Sequence, residues 1–188
     1  MAPLITWLKQ SCLGFRMNQT TSKTPIKATW LLNAPHIIRL RTLQGINDGD
    51  GYASVKSQRL GIATSVNREF LQKLLKTLQI DSTYDKTGRS VTICRNASII
   101  RASSLPFFLH AVGRQENAEK LAEMIQVRKM QRRKSLPEPV IERMMQLKNR
   151  GSSRGTIIEK IFDEFHISLS RGRVDHWAKV KKKMATKK

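Results

Sequence analysis

Along the chain, the spacing of apolar residues switches between a helical period of about 3.6 and a strand period of two. An apolar stripe ahead of the segment 48–51 predicts a first helix, with Ile37, Ile38, Leu40, Leu43 and Ile46 as its members. The elements predicted between residues 35 and 130 are, in order, a helix after Pro35, strands over 52–57 and 59–65, a helix capped by Asn67, strands over 80–84 and 90–95, a helix over 96–105 and a helix over about 115–130. The sequence therefore predicts an α+β domain.

Beyond residue 138 the pattern is purely helical. It predicts helices over 139–149 and about 153–165, then a turn over 166–169 and a third helix capped by Ser170. Val174 and Trp177 are expected to face inward from the third helix. This spacing resembles a helix-turn-helix of the resolvase or transposase type, whose last helix enters the DNA major groove. An ordinary three-helix bundle with a solvated basic face is the alternative.

Four segments follow from these patterns. The first, 1–34, is basic and poorly patterned; 35–130 is the α+β domain, 131–138 a basic linker, and 139–188 a small all-α domain with a basic tail. An acid-poor N-terminus that contains Ser and Thr can also be an organelle transit peptide. That alternative and a nucleic-acid-binding arm both fit residues 1–34.

The formal net charge of +21 is the strongest global feature of the 188 residues. Residues 128–188 hold 18 Lys and Arg against 6 Asp and Glu. Such an excess favours a polyanionic partner, with nucleic acid ahead of an anionic membrane surface, and no small-molecule substrate is expected. No apolar run approaches the length of about 18 residues that a membrane span needs. Two cysteines without a CxxC spacing favour a reducing intracellular setting. The expected location is the cytoplasm of a prokaryotic or archaeal host, with an organelle as the alternative.

Two acids at the end of the first predicted helix are the clearest candidates for chemistry. Asp48 and Asp50 alternate with Gly49 and Gly51, so the backbone can turn sharply beside two carboxylates. Hard divalent cations take oxygen ligands of this kind. An ordinary Asp-Gly turn fits the same four residues. An EF-hand is excluded, because its third ligand position falls on Tyr52.

The nine residues LQGINDGDG, 43–51, resemble the LAGLIDADG motif of homing endonucleases. Five residues are identical and two are conservative, and only Gln44 and Asn47 depart from the motif. The segments RLGIATSVNREFLQKLLKTLQI and LPFFLHAVGRQENAEKL are also similar to the strand–helix and closing segments of that family. The resemblance covers about half the chain. It implies an αββαββα domain, followed here by the helix-turn-helix. The identical residues are Leu43, Gly45, Asp48, Asp50 and Gly51, and the conservative ones are Ile46 and Gly49.

The resemblance also implies a chemistry. Two motif helices would pack against each other, and each would deliver Asp50, with Asp48 as a weaker candidate, to a site for Mg²⁺ or another divalent cation. Because the chain has a single motif, a catalytic protein is expected to be a homodimer on a roughly palindromic site. Arg114 corresponds to a basic residue near the scissile phosphates, and a plain surface arginine is its alternative. The residues expected in the dimer interface are Leu43, Gly45, Ile46 and Gly49.

Double-stranded DNA is the expected partner of both domains. If Val91 and Ile93 face inward, alternation turns Ser90 and Thr92 towards DNA. The residues expected to contact DNA from the first hairpin are Tyr52, Ser54, Lys56 and Arg59. Those expected from the last helix and its tail are Ser170, Arg171, Arg173, His176, Lys179 and Lys181.

Three functions are compatible with this resemblance. The first is a site-specific, metal-dependent endonuclease that hydrolyses double-stranded DNA. The second is a non-cleaving transcriptional regulator. In the WhiA family of bacterial regulators, a LAGLIDADG-like domain is likewise joined to a helix-turn-helix. The third, an RNA-splicing maturase, is favoured least, because helix-turn-helix domains usually bind DNA.

Overall fold

The structure, a computed structural model, describes residues 24–85, 87–131 and 135–177. These residues form two compact units, and neither is a continuous stretch of chain. The first unit contains residues 24–53 and 59–119, and the second contains residues 54–58 and 120–177.

The first unit is a mixed α+β structure. The order helix, two strands, helix, two strands, helix, helix confirms the order predicted from the sequence. A 3-10 helix at Thr29–Asn33 precedes it. The bounds are His36–Asp50 for α1, Gly51–Ser54 for β1, Arg59–Ala63 for β2, Arg68–Thr77 for α2, Thr83–Tyr84 for β3, Ser90–Ile93 for β4, Asn96–Ser104 for α3 and Val112–Met130 for α4.

The four strands form one sheet in the order β1-β2-β4-β3. Strand β4 pairs antiparallel with both β2 and β3. Leu60, Ile62, Val91 and Ile93 are fully buried, so one face of the sheet belongs to the core. The predicted alternation along β4, with Val91 and Ile93 inward, is therefore confirmed.

Helix α1 buries a face that differs from the predicted apolar stripe. Its buried residues are Leu43, Gln44 and Asn47. Ile37 and Ile38, two members of the apolar stripe, are 52% and 42% exposed. The polar side chains are buried because they find hydrogen-bond partners on the chain opposite, as described for the site below.

Several further boundaries differ from the prediction, since β2, β3 and β4 cover 59–63, 83–84 and 90–93 instead of 59–65, 80–84 and 90–95. Strand β1 ends at Ser54, because residues 55–58 form a turn in which Gln58 has a φ of 54°. Helix α4 begins at Val112 rather than near residue 115, because backbone N–H groups directly before it are held by the carboxylate of Asp48.

The second unit has three helices around its own core. They are α5 at Glu138–Asn149, α6 at Arg154–Phe165, and α7 over residues 171–177. Ser153 caps α6 by accepting a hydrogen bond from the Thr156 N–H at 3.2 Å. Ser170 accepts one from the Arg173 N–H at 3.2 Å, which confirms the predicted cap of α7. The three predicted helices are thus confirmed.

The core of the second unit includes residues far from its three helices in sequence. Val174 is buried and Trp177 packs against the cluster, as predicted. Val55, from the β1–β2 turn, and Met124, from α4, are also buried there. The second unit therefore begins within α4, at Lys120, ahead of the predicted linker over 131–138. Residues 132–134 of that linker lie outside the described residues.

The α+β class is confirmed for the described residues. The more specific LAGLIDADG arrangement stays a prediction. None of the described helices is both long enough and apolar enough to cross a membrane.

Candidate functional site

The C-terminal end of α1 presents Asp50 to solvent. Asp50 lies at the edge of a groove of about 590 Å³, whose wall is formed by one side of α1. The opposite wall comes from the chain after β2 and from α2. The α1 residues in this groove are Arg41, Thr42, Gly45, Ile46, Gly49 and Asp50.

Asp48, two residues earlier, has a structural contact that the sequence did not reveal. Its carboxylate accepts hydrogen bonds from the backbone N–H groups of Leu109 at 2.9 Å, His110 at 3.0 Å and Ala111 at 3.2 Å. These groups immediately precede α4, and His110 contacts both carboxylate oxygens. Asp48 therefore fixes the start of α4, and of the two motif acids Asp50 is the exposed one.

Hydrogen bonding also changes the acidity of Asp48. Desolvation raises the pKa of this carboxyl, but the N–H groups of His110, Ala111 and Leu109 together outweigh it and hold the pKa below the ordinary aspartate value of 3.8. Asp48 is thus ionised at neutral pH, and its charge faces the N-terminal end of a helix, where the helix dipole favours an anion.

Arg114 completes a reciprocal arrangement between the same two helices. Its guanidinium donates hydrogen bonds to the carbonyl oxygens of Asn47 at 3.2 Å, Asp48 at 3.0 Å and Gly49 at 3.4 Å. Carbonyls of the last turn of a helix lack partners within the helix, and that of Asn47 also accepts the N–H of the capping residue Gly51. Arg114 therefore caps α1 and lies next to the segment that carries Asp50, while its place near a scissile phosphate stays a prediction.

Gln44 and Asn47, the two residues that depart from the LAGLIDADG motif, bind the chain between α3 and α4. Gln44 donates to the carbonyl of Pro106 at 2.6 Å, and Asn47 donates to that of Phe107 at 2.9 Å. Asn47 is fully buried, and its side-chain oxygen has no hydrogen-bond partner. An apolar residue at position 47 would leave the Phe107 carbonyl unbound, so the polar side chains fit their surroundings.

The predicted dimer-interface residues are not all on one face of α1. Leu43 is fully buried in the core of its own chain, so its assignment to an interface between copies is wrong. Gly45 and Gly49 are exposed. Gly45 lies about 200° around the helix from the buried Leu43, so the two residues are on opposite sides of α1. Nothing lies within 4 Å of a Cβ built at either glycine. Ile46 is partly exposed on the groove wall.

The outer face of the sheet is less accessible than predicted. Ser90 and Thr92 do point away from Val91 and Ile93, but they are only 9% and 6% exposed. The ring of Tyr52 lies against Gly61, which is paired with Thr92, and the Tyr52 hydroxyl is 3.4 Å from the Thr92 hydroxyl. The expectation that Ser90 and Thr92 face a partner directly is therefore wrong.

Other predicted DNA contacts on the first hairpin are accessible. Arg59 is exposed at the start of β2, and Tyr52 is partly exposed in β1. Lys56 is exposed, but it lies in the turn rather than on a strand. Ser54 is partly buried, and its hydroxyl accepts a hydrogen bond from the Ser57 N–H at 3.1 Å.

The last helix presents its predicted polar residues unevenly. Arg171 and His176 are exposed, whereas Ser170 and Arg173 are partly buried. Asp175 forms an ion pair with Arg154 at 3.0 Å. Lys179 and Lys181 lie outside the described residues.

In the part of the chain that the structure describes, no three His, Cys, Asp or Glu side chains are close enough together to hold a metal ion. A divalent cation at Asp50 would therefore need ligands from elsewhere. Comparison of the chain with protein-family models, with characterised proteins and with solved structures finds no significant match.

Sequence reasoning missed the contacts made by Asp48 and by the buried amides. The spacing Gln44, Asn47, Asp48 places three polar side chains on adjacent positions of one helix face. That spacing was a usable signal for a polar seam. Only the fold, however, shows that residues 105–111 lie opposite.

Proposed function

We propose that this protein is a homodimeric DNA endonuclease of the LAGLIDADG type, in which α1 of each copy packs against the other and supplies Asp50. The observation that carries the proposal is the pair of glycines at 45 and 49. Both are exposed within a helix, and apart from that helix's own backbone no atom of the described residues lies within 4 Å of a Cβ built at either position. The neighbouring exposed face also carries Ile38, which is 42% exposed.

Glycine within a helix is unfavourable unless something requires it. Compared with alanine, each costs about 1 kcal/mol of helix stability. Nothing within the described chain needs the space above Gly45 or Gly49. Close approach of another backbone would need it, since small residues let two helices pack tightly. A second copy of α1 satisfies this requirement, because a two-fold axis brings the same face of each copy together.

Replacing Gly45 or Gly49 with alanine tests this packing. Each substitution is expected to raise the unfolding free energy of the monomer by about 0.5–1 kcal/mol, because the helix gains and nothing clashes. Self-association is expected to weaken at the same time. Denaturation at low concentration and sedimentation at high concentration measure the two effects. Tighter or unchanged association in both variants would contradict the proposed interface.

The charge of Asp50 gives a second test of how two copies meet. If both Asp50 side chains converge, their repulsion opposes dimerisation without metal, so Asp50→Asn is expected to strengthen the metal-free dimer. If the helices instead ran antiparallel, Asp50 could approach Arg41 of the other copy, which lines the same groove wall. Asp50→Asn would then weaken the dimer, and sedimentation without divalent cations distinguishes the two signs.

The donor set fits a magnesium ion only when two copies contribute. Mg²⁺ keeps several water ligands and commonly binds through one or two carboxylates, and two Asp50 side chains meet that need. When bound, such an ion stabilises charge on phosphate oxygens and activates water. The residues of this chain would hold it through Asp50, while Arg114 keeps the end of α1 in place.

DNA binding is supported by the overall charge of +21 and by the three-helix unit. We assign α7 to the major groove, with Arg171 and His176 exposed on it. Cleavage of a randomised duplex library in the presence of Mg²⁺ is the direct test of the proposed enzyme. Binding without any cleavage would contradict it.

A non-cleaving DNA-binding regulator is the second candidate. The engagement of Asp48 by three backbone N–H groups favours it, because only Asp50 of the two motif acids is left exposed in each copy. The same cleavage assay separates the two candidates.

A further inference from the structure

The turn between β1 and β2 belongs to the three-helix unit. Val55 is 4% exposed in the core formed with α5 and α6. The side chain of Gln58 donates to the carbonyl of Leu169, just before α7, at 3.5 Å. The turn, residues 54–58, is therefore a fourth element of this unit, although it is remote from the three helices in sequence.

Lys56 lies at the point where this turn meets two helices. Its carbonyl oxygen accepts a hydrogen bond from the Arg171 guanidinium, in the first residue of α7, at 3.0 Å. A Cβ built at Gly155, in the first turn of α6, would lie 2.8 Å from the Lys56 carbonyl oxygen. Glycine is thus required at 155 for the turn to approach so closely. The backbone of Lys56 makes these contacts, while its side chain is exposed.

Three exposed cationic residues therefore belong to segments that meet at the Lys56 backbone. They are Lys56 in the turn, Arg154 at the start of α6 and Arg171 at the start of α7. Asp175 neutralises part of the charge of Arg154, because the two form an ion pair at 3.0 Å. Lys56 and Arg171 lie next to each other through the Lys56 carbonyl. Cationic residues gathered on one surface in this way favour a polyanionic partner.

We propose that the β1–β2 turn is a DNA-contacting element of the helix-turn-helix, in which Lys56 and Arg154 bind backbone phosphates at the edge of the major groove that α7 enters. This inference rests on the proposed DNA binding and specifies which surface provides it. A helix in the major groove has a phosphate strand on either side, and the groove is only about 12 Å wide. Cations beside the first turn of α7 can reach one of these strands. Phosphate contacts of this kind fix the orientation of the helix without reading sequence.

Lys56→Gln in the full chain tests the proposal, because it removes the charge and leaves every backbone contact of the turn in place. The probe is a random-sequence duplex of about 30 base pairs, roughly three helical turns. Each lost phosphate contact flattens the dependence of log affinity on log salt by about 0.9. The expected results are this change in slope and an affinity at low salt that falls about threefold or more. Arg154→Gln is expected to behave in the same way.

Lys160→Gln is the matched control. Lys160 is also an exposed lysine of α6, but it lies about 240° around the helix from Arg154. Its substitution is expected to leave the slope unchanged. If Lys56→Gln and Arg154→Gln also leave it unchanged, the inference is overturned while DNA binding by the protein stands.

Two other outcomes are informative. If the unsubstituted protein does not bind the duplex at all, the proposed function itself fails. If Lys56→Gln weakens binding to duplex RNA but not to duplex DNA, the inference is also overturned. The deep, narrow major groove of RNA does not admit a helix. Thermal unfolding of each variant should match the unsubstituted protein, since the turn is held by Val55, Gln58 and the Lys56 carbonyl.

Discussion

Replacing Asp50 with asparagine is expected to lower Mg²⁺-dependent cleavage of duplex DNA by about a hundredfold or more, while affinity for the duplex changes little. Asp50 is the exposed acid of the motif segment and is the proposed metal ligand. Loss of a metal that supplies several kcal/mol of charge stabilisation in the transition state produces a rate effect of this size. Single-turnover cleavage and equilibrium binding, measured on the same duplex, separate the two effects.

Asp81→Asn provides the control for this experiment. Asp81 is an exposed carboxylate in the same unit and pairs with Arg95 at 2.9 Å. Surface ion pairs of this type contribute only about 0–1 kcal/mol. Its removal should leave cleavage unchanged. If Asp50→Asn cuts as fast as the unsubstituted protein, Asp50 is not the metal ligand, and if neither protein cuts, the non-cleaving regulator is the better assignment.

Replacing Asp48 with asparagine is expected to lower the unfolding free energy at neutral pH by about 1–2 kcal/mol. The carboxylate accepts hydrogen bonds from three consecutive N–H groups before α4, and an amide offers them a single oxygen. Hydrogen bonds to a charged group contribute about 1.5–3 kcal/mol, and partial exposure of Asp48 reduces that value. Chemical denaturation at neutral pH measures the difference.

The pH dependence of this effect has a defined direction. The folded chain holds the pKa of Asp48 below its ordinary value of 3.8, so the charged form is favoured by folding. The stabilisation is therefore complete above that value and is lost as the pH falls through the lower, folded-state pKa. The difference between Asp48→Asn and the unsubstituted protein should shrink in acid. A difference that is constant down to the lowest pH would contradict the assigned role.

The same variant separates a structural role of Asp48 from metal binding. A structural role predicts lower stability, with cleavage retained at temperatures where the variant is folded. A metal ligand predicts loss of cleavage with unchanged stability, as the motif resemblance first suggested. Asp81→Asn again serves as the exposed-carboxylate control.

Much of the fold could be predicted from the sequence because it depends on local patterns. The strand alternation of Val91 and Ile93 and the cap at Ser170 are short-range signals, and both are confirmed. Helices α5 and α6 lie within one residue of their predicted bounds.

The errors arose where a side chain meets a distant part of the chain. The apolar stripe included Ile37 and Ile38, but α1 instead turns Gln44 and Asn47 inward, because the carbonyls at 106 and 107 bind them. Leu43 lies on the same inward side of α1 and is fully buried. Thr92 is covered by a tyrosine from another strand, and Ser90 is also buried. No local pattern contains these partners.

For the site itself, the motif resemblance ranked Asp50 above Asp48 as a metal ligand but did not predict what Asp48 contacts. Asp48 and Asp50 have the same local sequence, since each is followed by a glycine. The fold distinguishes them, because only Asp48 faces the chain before α4. Arg114 was named only through the motif resemblance. In the structure it belongs to α4, and its guanidinium contacts the last turn of α1.

The insertion of residues 54–58 into the C-terminal unit has a consequence for how the chain is made. Arg171 is 115 positions away from Lys56, whose carbonyl it binds. During synthesis, Val55 leaves the ribosome long before the helices that cover it, and closing so long a loop slows the step that completes the unit. A nascent or truncated chain therefore exposes the apolar side of this turn. Chaperone engagement and protease cutting at the turn are expected to persist until the last helix has emerged.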